Sequence, residues 1–150
     1  MANRLQLQEF IDDQPGSIEQ LRHLVGREFA PSLDESLESL EKLDLFLDGL
    51  TEEEDWKSSP LFSEVSDDMS SWLTVRVAYY LAACLQKRFE CEWSLSTDES
   101  SPAQGTPVLT IHGIEISPLE IASERLAGRV EGGLVGLVSD LEDEVRRSVN

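Results

Sequence analysis

The chain has 150 residues, 40% of them hydrophobic and 28% charged, with 30 Asp and Glu against 12 Lys and Arg, a formal net charge of −18. A chain of this length can bury about 70% of its unfolded surface, so a single domain with a core that needs no disulfide or metal staples is the default. The charge works against nucleic acid, anionic lipid and phosphate-rich substrates as direct partners, and it favours a basic protein partner. It is also uneven: residues 1–75 hold 18 acids and 5 bases, and the window 34–68 holds 13 acids and 2 bases.

Taken in chain order, Leu5, Leu7, Phe10 and Ile11 show no clean period, so residues 1–16 read as a short helix or docked arm that Pro15-Gly16 breaks. Ser17-Ile18-Glu19-Gln20 has the form of a capping box and predicts a helix over 17–29. Ser32, with Glu35 three residues on, predicts a second start, leading into Leu33, Leu37, Leu40, Leu43 and Leu47 at helical spacing and ending near Gly49. The opposite face carries Asp34, Glu35, Glu38, Glu41, Asp44 and Asp48, a pattern that puts leucines toward a core and carboxylates toward solvent. Asp44 and Asp48 oppose the dipole at the end of this helix, which implies a role other than local helix stability.

Residues 51–66 place Trp56, Leu61, Phe62 and Val65 among polar neighbours that include Glu52-Glu53-Glu54-Asp55, and the segment is expected to fold back on the domain. After Asp67-Asp68, the residues Trp72, Val75, Val77, Tyr79, Tyr80, Leu81, Ala82, Cys84, Leu85 and Phe89 leave few polar positions. That predicts a long central helix buried on much of its circumference, with Lys87-Arg88 complementing its dipole. Strict alternation from Phe89 to Leu95 predicts a half-buried strand, and residues 96–107 an exposed loop. Val108–Ile111 and Ile114–Ile116 around His112-Gly113 predict a tight hairpin. Ser117-Pro118-Leu119-Glu120 is a helix start with Ser at the cap and Pro at the first position, running to about Ala127 with Gly128 as its stop. Leu134, Leu137, Val138, Leu141 and Val145 predict a last amphipathic helix. The sum is an α+β fold: N-terminal helices, a long central helix, a three-stranded antiparallel sheet and two C-terminal helices.

Ala78-Tyr79-Tyr80-Leu81-Ala82 followed by Trp93, and then the run from Pro118 through Ile121 to Arg125-Leu126, form a recognisable series within Trp72 to Leu126. This series resembles a group of small bacterial domains in which an AY-x-G-E-like helix runs into a Trp-bearing strand, a hairpin and a P-x-x-x-[IV]-x-x-R-L helix. The chain has Leu81-Ala82 where that group tends to have Gly-Glu, and its Ile121 stands three residues after Pro118 where the motif has four. The resemblance implies a bacterial α+β domain and brings no activity with it.

Reactive groups are sparse. His23 and His112 have no Cys, Asp or His partners at ligand spacing, so no metal site is expected. Cys84 and Cys91, seven apart, form neither a metal pair nor a disulfide framework and read as reduced core residues. Gly-x-Ser-x-Gly is absent, and a cysteine nucleophile would need His112 brought to it. The acid runs lack the calcium-loop pattern, and Gly128, Gly132, Gly133 and Gly136 sit between helices, where no Rossmann or Walker loop belongs. No catalytic residue and no cofactor is therefore expected. The chain opens without an apolar run, and no stretch nears the roughly 18 apolar residues of a membrane span, so no membrane association and a cytoplasmic location are expected.

The leading expectation is a non-enzymatic acidic interaction module, an adaptor, inhibitor or immunity-type protein. Its interaction face would comprise Glu38, Glu41, Asp48, Glu52, Glu53 and Glu54 around Trp56 and Phe62 as anchors. The alternative is a small ligand-binding domain or enzyme with a pocket between sheet and helices near Tyr79, Tyr80, Cys91, Trp93 and His112. Self-association through the last helix or a sheet edge would give a homodimer.

Overall fold

A computed structural model describes residues 2–29, 33–52, 69–96, 106–128 and 132–149. Leu7, Ile11, Gln14, Ile18, Leu21 and Val25 recur every three or four positions, and they lie on one helix, α1 (Ala2–Phe29), that runs through Pro15 without a break. The interruption expected at Pro15-Gly16 therefore does not occur. Pro15 gives the Ile11 carbonyl no N–H, a loss of about 3 kcal/mol relative to Ala. Contacts made on either side of it offset that loss. The Tyr79 hydroxyl donates to the Phe10 carbonyl at 2.6 Å, Gln14 Nε2 donates to the Tyr79 carbonyl at 3.2 Å, and Trp93 Nε1 donates to Gln14 Oε1 at 3.1 Å. The Phe10 ring stacks tilted on Tyr79 at 4.6 Å and edge-on to Trp93 at 4.9 Å.

Helix α2 (Leu37–Thr51) starts later than the Ser32 signal implied. Its cap is Ser36, whose hydroxyl accepts from the Ser39 amide at 3.1 Å, while Asp34 accepts from the Ser36 amide. Glu35, just before the cap, sits at φ 67°, a left-handed conformation that a non-glycine residue adopts only when held. The Tyr80 hydroxyl holds it, accepting from the Glu35 amide at 2.9 Å and pairing with Ser39 Oγ at 2.5 Å.

Helix α3 (Met69–Arg88) is the axis of the fold, and every residue from Val77 to Leu85 is buried. Helix α1 packs along one side of it, and α4 (Pro118–Leu126) along another. The sheet has order β1-β2-β3, all antiparallel, with β1 (Trp93–Leu95), β2 (Pro107–Ile111) and β3 (Ile114–Ile116). Trp93 pairs with Leu109, and Leu109 with Ile116. Strand β1 is shorter than the alternation from Phe89 suggested: it pairs with β2 only from Trp93 to Leu95, and the Phe89 amide still bonds the Leu85 carbonyl as a last helical turn. The hairpin turn is as expected: His112 and Gly113 both take positive φ, 49° and 81°, the requirement of a two-residue turn matched to strand twist. Ser117 caps α4 by accepting from the Glu120 amide at 3.3 Å, and Pro118 stands in its first turn. Helix α5 (Gly133–Val149) buries Leu134, Val138, Leu141 and Val145 and packs mainly on α2. The fold is thus α+β, with five helices and one three-stranded sheet among the described residues, and these elements join a contiguous apolar core.

Candidate functional site

Helix α2 sorts its side chains by period. Leu40, Leu43, Leu47 and Leu50 are buried, whereas Glu38, Glu41, Leu45, Asp48 and Glu52 are exposed. The exposed set is spaced by three and four residues in turn, which aligns it as one stripe along the helix. Leu45, at 63% exposure, is the large exposed hydrophobic residue among the described positions, and it lies at the centre of that stripe. Leu45 stands outside the face expected from the sequence. Its signal was there, a leucine out of phase with the buried ones and set between acids.

Asp44 does not face solvent with the other carboxylates. It accepts from Arg125 Nε at 2.9 Å and from the backbone amides of Leu134 at 2.9 Å and Val135 at 3.1 Å. Arg125, 6% exposed, also donates to the Asp44 carbonyl at 3.0 Å and to Asp48 at 2.6 Å. One carboxylate therefore neutralises a buried guanidinium from α4 and caps α5 from another element. The first turn of α5 has no acid of its own, and a Cβ on Gly133 would come 2.7 Å from the Asp44 carboxyl carbon. The two late acids of α2 thus serve tertiary structure, and Asp48 belongs to both sets, since its side chain stays 64% exposed while it bonds Arg125. At the other end of α2, hydrogen bonds from Ser36 hold the Asp34 carboxyl below its usual range.

Of the residues proposed for an interaction face, Glu38, Glu41, Asp48 and Glu52 share the stripe just described, whereas Glu53, Glu54, Trp56 and Phe62 lie outside the described residues. The set proposed for a pocket is dispersed. Tyr79 and Trp93 meet in the Phe10 cluster, 6.4 Å between their ring centroids, with the Tyr79 hydroxyl and the Trp93 indole nitrogen both bonded to α1. Tyr80 turns its hydroxyl to the start of α2, and His112 is exposed at the hairpin tip. Cys91 and Trp93 line an open groove of about 800 Å³ with Lys87, Arg88 and Thr110, and that groove includes neither tyrosine nor His112. Burial, helped by the charge of Asp13, pushes Tyr79 up to about 12, and burial pushes Tyr80 up to about 12 against the Ser39 and Glu35 hydrogen bonds. Burial likewise pushes the Cys84 thiol up to about 12 and raises Cys91, which keeps both protonated near neutral pH and so poor nucleophiles. Both cysteines are free. Among the described residues, no three His, Cys, Asp or Glu gather as a metal-binding group, and no helix is long and apolar enough to cross a membrane.

Comparison with protein-family models, with curated proteins and with solved structures finds no match to this chain.

Proposed function

We propose that the protein is a non-enzymatic interaction module of the adaptor, inhibitor or immunity type, acting in the cytoplasm and docking a basic protein partner through the outer face of α2. The observation that supports this reading is the stripe of Glu38, Glu41, Asp48 and Glu52 with exposed Leu45 at its centre. An apolar anchor inside a charged rim is the arrangement that gives a protein interface both its affinity and its steering. The charge balance agrees: a body of net −18 attracts cationic surfaces over the Debye length, about 8 Å at physiological salt, and repels polyanions.

The test is affinity capture from a native lysate with the wild-type chain and with a Glu38→Lys, Glu41→Lys, Glu52→Lys variant. These three positions are chosen because Asp48 also holds Arg125. The expected result is a basic protein retained by the wild type, released by added salt, and lost to a variant whose circular dichroism is unchanged. Equal recovery on both baits contradicts the proposal.

A further inference from the structure

We infer that α5 opens and closes as a unit while the rest of the fold stays folded, and that Asp44 is the latch that sets its closed population. The inference is independent of the partner reading above. Its first support is how α5 is attached. Among the described residues it packs mainly on α2, and it gives the core one face, Leu134, Val138, Leu141 and Val145. An ion pair between partly exposed side chains, Arg88 of α3 with Glu142 of α5, adds to that packing. An element with few partners has a low free energy of local opening compared with a helix buried all round, such as α3.

The second support is how α5 begins. Helix starts leave backbone amides without intrahelical acceptors, and a side chain a residue or two before the helix normally supplies one. Here Gly132 occupies that place and Gly133 opens the helix, both at positive φ and with no side chain to offer. Asp44, from α2, takes the Leu134 and Val135 amides instead. Arg125 fixes the orientation of that carboxylate by bonding both its Oδ1 and the Asp44 carbonyl. The closing interaction is therefore a contact between elements, and it is broken whenever α5 leaves. Opening also uncovers the apolar stripe of α5, and it would leave the other elements with their own contacts intact, including Tyr80 on Ser39 and Gln14 on Tyr79 and Trp93.

Native-state hydrogen exchange in low, increasing urea tests this on the full chain. In the wild type, the amides of residues 138–145 should exchange at least tenfold faster than those of residues 77–85, with a weaker urea dependence. Asp44→Asn should accelerate the α5 amides about tenfold or more, and Gly133→Ala should do the same by crowding the carboxylate without altering charge. Tyr80→Phe weakens a contact that persists when α5 is open, so it should accelerate the α3 amides and leave those of α5 unchanged. If Asp44→Asn does not fold, the wild type, Gly133→Ala and Tyr80→Phe still decide the matter. Equal protection of α3 and α5, with Tyr80→Phe accelerating both alike, would overturn the inference, as would α5 exchange that ignores both Asp44→Asn and Gly133→Ala.

Discussion

Replacing Pro15 by Ala asks whether α1 is one helix or two. Within a continuous helix, Pro is about 3 kcal/mol less favourable than Ala, since it lacks an amide and its ring crowds the preceding turn. Its rigidity also restricts the unfolded chain, which returns about 0.4–1 kcal/mol. The net expectation for Pro15→Ala is a gain of about 2 kcal/mol, which for a chain of this size is about 4–8 °C in melting temperature. Pro15 is exposed, so trimming its ring removes little packing. Gly16→Ala should add about 0.5–1 kcal/mol, since no atom lies within 4 Å of the new Cβ. Urea denaturation followed by circular dichroism measures both. If the chain instead turned at Pro15 and a second helix began there, the proline would sit in a position that suits it. Pro15→Ala would then be neutral or destabilising, and that result would refute the continuous helix.

Arg125→Met removes a buried cation and leaves Asp44, among the described residues, with its two amide donors, so a loss of about 3 kcal/mol is expected in the same assay, and a loss under about 1 kcal/mol would show that the pair is well solvated. Alkaline pH should weaken the fold. Tyr79 and Tyr80 ordinarily titrate near 10 and are raised to about 12 when folded, as Cys84 is raised from 9 to about 12. Below pH 9 their contribution is complete, and between pH 9 and 12 the unfolded chain gives up protons that the folded chain keeps, so stability falls as pH rises. Urea midpoints from pH 8 to 11.5 should show this decline, with a shallower slope above pH 10 in Tyr80→Phe; a flat profile would contradict the burial of these groups.

Elements defined by contiguous signals were readable from the sequence. Ser117-Pro118 fixed the start of α4, His112-Gly113 the hairpin, and the leucine spacing the buried face of α2. Features that depend on distant contacts were not. The apolar period of α1 passes through Pro15, but what makes that proline tolerable is Tyr79 and Trp93, 64 or more residues away. Ser32 had the better local cap pattern, yet Ser36 caps α2 because the hydroxyl of Tyr80 holds Glu35 in a left-handed turn. Phe89 to Leu95 alternates as a strand should, and pairing with β2 limits the strand to three residues. The candidate site was half legible. The exposed acids of α2 followed from the period, and the misplaced charges of Asp44 and Asp48 were visible as an anomaly, but only the approach of Arg125 and the uncapped α5 explains them.

The central claim is that the carboxylates of α2 divide into Glu38, Glu41 and Glu52, which the fold does not need, and Asp44 and Asp48, which hold Arg125. Glu41→Gln and Asp44→Asn each remove one negative charge from the same helix, and their urea midpoints measured side by side test the division directly. Glu41→Gln should lie within about 0.5 kcal/mol of the wild type, as exposed surface substitutions do. Asp44→Asn should lose about 2–3 kcal/mol, through the weakened cap and the buried Arg125 charge left short of its partner. Equal losses in the two variants would contradict the account.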